Sequence, residues 1–237
     1  MVTYFVVTGF GKFRGVDQNP SQALVQALQA HIIERGKGIA GGAQVLVASI
    51  LTVSAKYVDA WLAALVEELP QFISDTDELV LLHFGVDDKC EVDLKLEARA
   101  YNEATFRVPD ESGWQPQGEP IDRDDAHAAL ETDLPVGMLA GSLRAAGGRV
   151  SVSHNAGRFV CNYSLFRSLQ RSRAAGQRWH SLFVHVPCII EERDARQLLD
   201  LAGVLLDEIS LTLSDRSECP QPNIAPTGEW SPPQQGV

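Results

Sequence analysis

Cys161 and His185 are the residues of this chain whose types and spacing best suit chemistry, because a thiol and an imidazole brought together make a nucleophile and its base. The segment from Arg149 to Pro187 reads as strand, tight turn, helix and strand. In a right-handed β-α-β crossover the two strands run parallel and both carboxyl ends open on one edge of the sheet. Cys161 then falls in the first turn of the helix and His185 at the end of the second strand, in the crevice where open α/β sheets bind ligands. The unpaired N–H groups of a helix N-terminus stabilise a thiolate. The turn Asn155-Ala156-Gly157 lets backbone amides approach a reacting carbonyl, as an oxyanion site requires. The spacing alone leaves a plainer reading open, in which Cys161 is an inert small hydrophobe and His185 a hydrogen-bonded structural residue.

The elements that must position this pair form a regular alternation. Apolar runs of strand length alternate with segments of helical period, which predicts a layered α/β domain with a largely parallel sheet. Strands are expected at Tyr4–Thr8, Val45–Leu51, Leu79–Phe84, Arg149–Ser153 and Leu182–Val186. Helices are expected from Pro20 to about Arg35 and over Lys56–Leu69, Pro135–Ala146, Phe159–Ala175 and Asp194–Leu213. Asn19 fits an N-cap and Pro20 the first helical position. The stretch from Gly85 to about Asp133 is polar and irregular, with a short antiparallel piece expected near Val92 to Ala100. Residues 1–213 therefore read as one three-layer α/β/α domain on a twisted, largely parallel mixed sheet. Residues 214–237 hold five of the twelve prolines and read as a mobile, disordered tail.

The 237 residues are 45% hydrophobic, enough for one well-buried core. A formal charge of -11 repels phosphate backbones and anionic membranes, so neither nucleic acid nor a membrane is an expected partner. The N-terminal MVTYFVVTGF lacks the basic flank and cleavage site of a signal peptide, and no run reaches the roughly 18 apolar residues of a membrane span. These features read as a cytoplasmic protein. Cys90, Cys161, Cys188 and Cys219 form no C-x-x-C pair, which predicts no metal site and, in a reducing compartment, free thiols.

Four motifs, in order, resemble those of type I pyroglutamyl peptidases (pyrrolidone carboxyl peptidases), a family of cysteine peptidases. They are Val6-Val7-Thr8-Gly9-Phe10-Gly11-Lys12-Phe13 with Asn19-Pro20-Ser21; Glu97 to Asn102 with Phe106-Arg107-Val108-Pro109-Asp110; Ala156 to Tyr163 around Cys161; and Phe183-Val184-His185-Val186-Pro187. The resemblance spans about Val6 to Leu213. It implies a triad of Cys161, His185 and Glu97, with Glu97 accepting the imidazole N–H, and it implies that Arg107 helps stabilise the oxyanion. From the residues alone, Glu97 reads as a solvated surface charge in preference to a buried triad member, and Arg107 has the competing reading of a salt-bridge partner for a nearby acid.

The resemblance further implies that Phe10 and Phe13 hold a pyroglutamyl ring between aromatic faces. The physics suits that substrate, a flat neutral lactam with no free α-amine that asks for apolar walls and a few amide partners. Core packing is the competing reading for either ring. Asn19 is a further candidate for substrate contact, although capping accounts for it. The implied reaction is omega-type exopeptidase hydrolysis of peptides with an N-terminal pyroglutamate, through a thioester and without a cofactor, in a monomer or homo-oligomer. A catalytically silent peptide- or partner-binding protein on the same fold is the alternative, and a phosphorylase-like enzyme is disfavoured because no phosphate cradle is evident. Three places depart from the family pattern: Gly85 to Cys90 where a Gly-rich loop is common, His154-Asn155 where Asn-Ser is usual, and Ala98-Arg99 after Glu97.

Overall fold

The computed structural model describes residues 1–36, 38–87, 94–176, 178–188 and 192–218. In chain order the elements are β1 (Thr3–Phe10), α1 (Pro20–Glu34), β2 (Gln44–Leu51), α2 (Ala55–Glu68), β3 (Glu78–Val86), β4 (Leu94–Glu97), β5 (Arg99–Tyr101) and β6 (Ala104–Thr105). They continue with β7 (Gln117–Glu119), β8 (Ala129–Glu131), α3 (Val136–Ala145), β9 (Val150–Ser153), α4 (Val160–Ala175), β10 (Trp179–Val186) and α5 (Glu192–Glu218). Six strands form one sheet in the order β2-β1-β3-β10-β4-β9, while β5-β8 and β6-β7 make two small antiparallel ribbons.

Alternation along the central strands builds the three layers. On β3, Val80, Leu82 and Phe84 enter a cluster with α1, α3 and α5, whereas Leu79 and Leu81 enter a second cluster with α2 and α4. Both faces of the central strands are thus covered, which is why they read as nearly continuous apolar runs. The expected α/β/α architecture holds. No helix among the described residues is long and apolar enough to cross a membrane.

The sheet topology corrects one expectation that bears on the site. β9 and β10 are not a parallel β-α-β pair: β4 lies between them, parallel to β9 and antiparallel to β10. β9 therefore runs opposite to β10. Sequence periodicity carries no information on strand direction, and the β4 insertion from the polar stretch reverses the local order. That stretch, expected to be less regular with a short antiparallel piece near Val92 to Ala100, supplies β4 through β8, and β4 and β5 do pair antiparallel, with β10 and β8.

The C-terminal boundary also moves. α5 continues past Leu213 to Glu218, with the Ser214 hydroxyl donating to the Ser210 carbonyl and Arg216 Nη2 donating to the Asp133 carbonyl at 3.0 Å. The expected tail thus begins as helix, and residues 219–237 lie outside the described residues. Cys188 is disulfide-bonded, which corrects the expectation of free thiols for that residue, whereas Cys161 is free.

A charge cluster closes the end of the sheet away from the strand tips that carry His185. His180, 2% exposed, is held by Asp133 at Nδ1 (2.7 Å) and by Glu78 at Nε2 (3.1 Å), and Arg178 also reaches Glu78 at 3.1 Å. Burial acts to lower the His180 pKa, but the two carboxylates raise it above the ordinary value. A raised folded-state pKa means that the stabilisation is complete below the unfolded value of about 6.5 and is lost as the pH rises through the folded value. His180→Ala is expected to cost on the order of 2 kcal/mol at pH 6, since it removes hydrogen bonds to two carboxylates and leaves Glu78 with Arg178 alone. The deficit should shrink at alkaline pH in urea unfolding followed at both pH values.

Candidate active site

The first turn of α4 delivers Cys161 to the carboxyl ends of β3 and β10. Asn155 and Gly157, with φ of 79° at the glycine, turn the chain after β9, and Phe159 takes the N-cap position with no side-chain hydrogen bond. The first N–H groups of α4 are consequently not consumed by a capping side chain, as an anion-stabilising helix start requires. Cys161 approaches β3 closely. A Cβ placed on Gly85 would lie 3.3 Å from its Sγ and 2.5 Å from Cζ of the fully buried Phe183. Only glycine leaves room for the thiol to sit over the strand.

His185 lies opposite Gly85 in the β3-β10 ladder and opposite Lys95 in the β10-β4 ladder. Glu97, one alternate residue along β4, projects from the same face. Its Oε1 lies 2.7 Å from His185 Nδ1, with Glu97 1% and His185 8% exposed. Glu97 is therefore a buried residue of a regular strand and not a solvated charge. Burial by itself would lower the His185 pKa, but the hydrogen bond and charge of Cys161, followed by those of Glu97, raise it to about 10. The imidazole stands between a thiol and a carboxyl group. Cys161, His185 and Glu97 are thus brought together, in the order of thiol, imidazole and carboxylate that nucleophilic catalysis uses.

These residues open into a cavity of about 260 Å³ that is also lined by Phe10, Phe13, Asn19, Arg107 and the 155–160 segment. Phe10 is 3% exposed and packs 6.2 Å from the Phe183 ring, so one face of it belongs to the core. Phe13 is half-buried, 6.1 Å from Phe159, which is itself 4.7 Å from Phe106. Both readings of these rings hold together, since they pack and they line the cavity. Arg107 is exposed at the cavity wall.

Asn19 is occupied within the chain. Its Oδ1 accepts from the Ser21 N–H (3.1 Å) and hydroxyl (2.8 Å), and its Nδ2 donates to the Gly11 carbonyl (3.0 Å). The Ser21 hydroxyl oxygen in turn accepts the Phe10 N–H at 3.0 Å. The capping motif of α1 therefore fixes the loop that carries the two phenylalanines.

Several positioning residues were not legible as such from the sequence. Asn162, fully buried, accepts the Tyr101 N–H (2.8 Å) and donates to the Tyr101 and Glu103 carbonyls (2.9 and 3.0 Å), clamping the β5-β6 connection to the start of α4. Arg158 lies 3.9 Å over the Tyr101 ring and donates to Asn155 Oδ1 and the Gly157 carbonyl, which holds the turn before Cys161. Asp110 accepts the Ala55 N–H at 3.0 Å and so caps α2 from outside, anchoring the segment that carries Arg107. Burial disfavours its charge, yet hydrogen bonds led by Ser112 hold its pKa below the ordinary carboxylate value. The available signal for Asn162 was its place next to the candidate nucleophile. For the Arg158–Tyr101 contact and the Asp110 cap on α2 there was none, because those partners are distant in sequence.

Known proteins resemble this chain in both sequence and fold. Residues 3–198 match the pyroglutamyl peptidase family profile. The pyrrolidone-carboxylate peptidase of Lactobacillus johnsonii is 31% identical over 187 residues, covering 79% of each chain. That of Clavibacter michiganensis subsp. michiganensis is 30% identical over 219 residues, 90% of this chain and 94% of the relative. Among solved structures, the pyrrolidone carboxyl peptidase from Thermococcus litoralis superposes with a TM-score of 0.74 at 23% identity over 90% of this chain and 96% of that one. A mutant of the Pyrococcus furiosus pyrrolidone carboxyl peptidase gives 0.72 at 25% identity, over 90% and 99%. With its thiol, imidazole and carboxylate assembled at the strand tips of the same fold, the chain belongs to the pyroglutamyl peptidase family.

Proposed function

We propose that this protein is a cysteine exopeptidase that hydrolyses the amide bond after an N-terminal pyroglutamyl residue, with Cys161 as nucleophile. The observation that carries the reading is His185, held by Glu97 and facing Cys161 in a cavity walled by Phe10 and Phe13. The thiolate attacks the pyroglutamyl carbonyl carbon, and the developing oxyanion takes the N–H groups at the start of α4, with Arg107 at the cavity wall as a further cation. The imidazolium of His185 gives its proton to the departing amine, which leaves a thioester. Water then attacks the thioester with its proton passing to His185, which regenerates the thiolate pair. Glu97 keeps the imidazole oriented and stabilises its charged form.

An assay releasing a fluorescent amine from a pyroglutamyl conjugate, with a prolyl conjugate as control, tests this. Discrimination of at least about a thousandfold is expected, since pocket groups aimed at the lactam lose their partner with proline. Cys161→Ser should lower turnover at least about a thousandfold with the melting temperature preserved, because a hydroxyl lacks the thiolate's nucleophilicity. Comparable hydrolysis of both conjugates, or an active serine variant, would overturn the reading.

The pH profile follows from the charged state of His185. An imidazolium whose pKa is raised to about 10 remains available as the acid for the leaving amine through the neutral range, and is lost only as the pH passes that value. The alkaline limb of kcat/KM should therefore lie near pH 10. Glu97→Gln should move it downward, toward the unperturbed value of about 6.5, since one of the flanking charges is gone. An unchanged limb in that variant would remove Glu97 from the assignment.

Gly85→Ala tests the close approach of Cys161 to β3. The new methyl would meet the Phe183 ring and the thiol, and a displacement of about 1 Å at the nucleophile is expected to lower kcat/KM roughly a hundredfold. Gly137→Ala, in α3 with open space around it, is the control and should leave kinetics unchanged.

A further inference from the structure

The sheet ends on two unequal edges. One is β9, four residues long, and the other is β2, eight residues long, and among the described residues no strand pairs with the outer side of β2. Its sequence, Gln44-Val45-Leu46-Val47-Ala48-Ser49-Ile50-Leu51, contains no charge, proline or glycine. An irregularity at Leu46 breaks the ladder with β1, and the pairing is regular from Val47 to Leu51. Edge strands that face water are normally blunted by a charge, a proline or a bulge, because their open N–H and C=O groups accept a further strand. The stretch from Val47 to Leu51 carries none of these.

The helix that follows β2 adds a second feature to the same edge. On α2, Val58, Leu62 and Leu65 are buried against the sheet. Asp59 faces α4, where it accepts from the Tyr163 hydroxyl at 2.7 Å and from Arg167 Nε at 2.8 Å. With 3.6 residues per turn, the flank turned away from α4 is Tyr57, Trp61, Ala64 and Glu68. Tyr57 is 54% exposed, Trp61 is half-buried, and Ala64 and Glu68 are exposed, as is Lys56 beside Tyr57. Because α4 packs on β10, toward the middle of the sheet, this flank looks out beside the free edge of β2. An aromatic pair thus stands in water next to an unblunted strand.

We infer that a second copy of this chain docks here about a twofold axis, the two β2 strands pairing antiparallel to extend the sheet and the two α2 helices packing antiparallel beside them. The flank is self-complementary in that arrangement. Trp61 comes against the partner's Ala64, a large side chain against a small one. Lys56 and Tyr57, in the first turn of α2, come against the partner's Glu68 at the last, cation and hydroxyl against carboxylate. One axis serves both elements, since edge-to-edge pairing of identical strands about a twofold is also antiparallel. A strand from an unrelated protein would use the edge alone, and would gain nothing from a helix flank that complements itself. The cavity lies at the strand tips and not at the lateral edge, so joined copies keep both cavities accessible. The inference is independent of the peptidase reading.

Sedimentation equilibrium of the full chain over a concentration series should give twice the chain mass at the upper end, and a single-chain mass throughout overturns the inference. Ala64→Arg removes the small surface that Trp61 meets and should weaken association at least about tenfold. Lys56→Glu and Glu68→Lys each set like charges across the axis, twice over by symmetry, and each should weaken association by a similar factor. The two reversals combined restore opposite charges and should restore the dimer. Each reversal also suits the helix dipole, with an acid in the first turn or a base in the last, so lost association is not lost folding. A dimer indifferent to all three substitutions joins through another surface, and a combined variant that stays monomeric excludes the antiparallel packing; either result overturns the inference. Hydrogen exchange tests the strands. In the dimer the outward-facing amides of Val47–Leu51 should exchange at least about tenfold more slowly than in the Ala64→Arg monomer, and equal rates would mean that β2 stays unpaired, which also overturns it.

Discussion

The whole site hangs on the lateral register of β10, which pairs parallel with β3 on one side and antiparallel with β4 on the other. That double pairing puts Gly85, His185 and Lys95 abreast across three strands. Gly85 leaves the space that Cys161 fills from α4, and Glu97 reaches the imidazole from β4. A slip of one residue in either ladder would turn His185 or Glu97 to the opposite face of the sheet, because side chains alternate with period two. The buried Phe183, opposite both His83 and Glu97, packs under the glycine and resists such a slip. The geometry of the candidate site and the packing of the core are therefore set by the same hydrogen-bonded ladders.

Electrostatics gives the site its second constraint. His185 and Glu97 are almost fully removed from water, where an unpaired charge is costly and a paired one strongly held. The imidazolium of His185 gains from both flanking groups more than it loses by burial. The neutral His83, on the neighbouring strand, shows the other outcome: burial alone lowers its pKa to about 4, and its Nδ1 is satisfied by the Thr8 hydroxyl at 2.7 Å. The pKa values of two histidines on adjacent strands are thus moved in opposite directions because only one of them faces Cys161 and Glu97.

Much of the scaffold around the site does a single task, which is to hold loops still. The α1 cap joins Asn19 and Ser21 to the loop of Phe10 and Phe13, Asp110 anchors the Arg107 segment to α2, and Asn162 with Arg158 secures the turn before Cys161. Each uses a polar side chain to satisfy backbone groups that irregular chain would otherwise leave without partners. Rigidity at the strand tips comes from these side-chain to backbone bonds, since regular ladders end there.

The sequence by itself determined the layered class, the strands and helices of the periodic segments, the α1 cap at Asn19 and Pro20, and the candidates Cys161 and His185, because each depends on local spacing. The motif resemblance added Glu97, Arg107, Phe10 and Phe13 to that set. Tertiary structure alone decided that β4 separates β9 from β10 and reverses the local strand direction, since pairing partners lie far apart in the chain and period-two patterns look alike in either direction. It also decided that Glu97 is buried and bonded to His185, that α5 runs past Leu213, and that Asp87 and Lys95 meet in the cavity. A charge in a sequence declares its type but not its surroundings. Whether it ends in solvent, in a network or against a reacting group is settled by contacts between residues that only folding brings together.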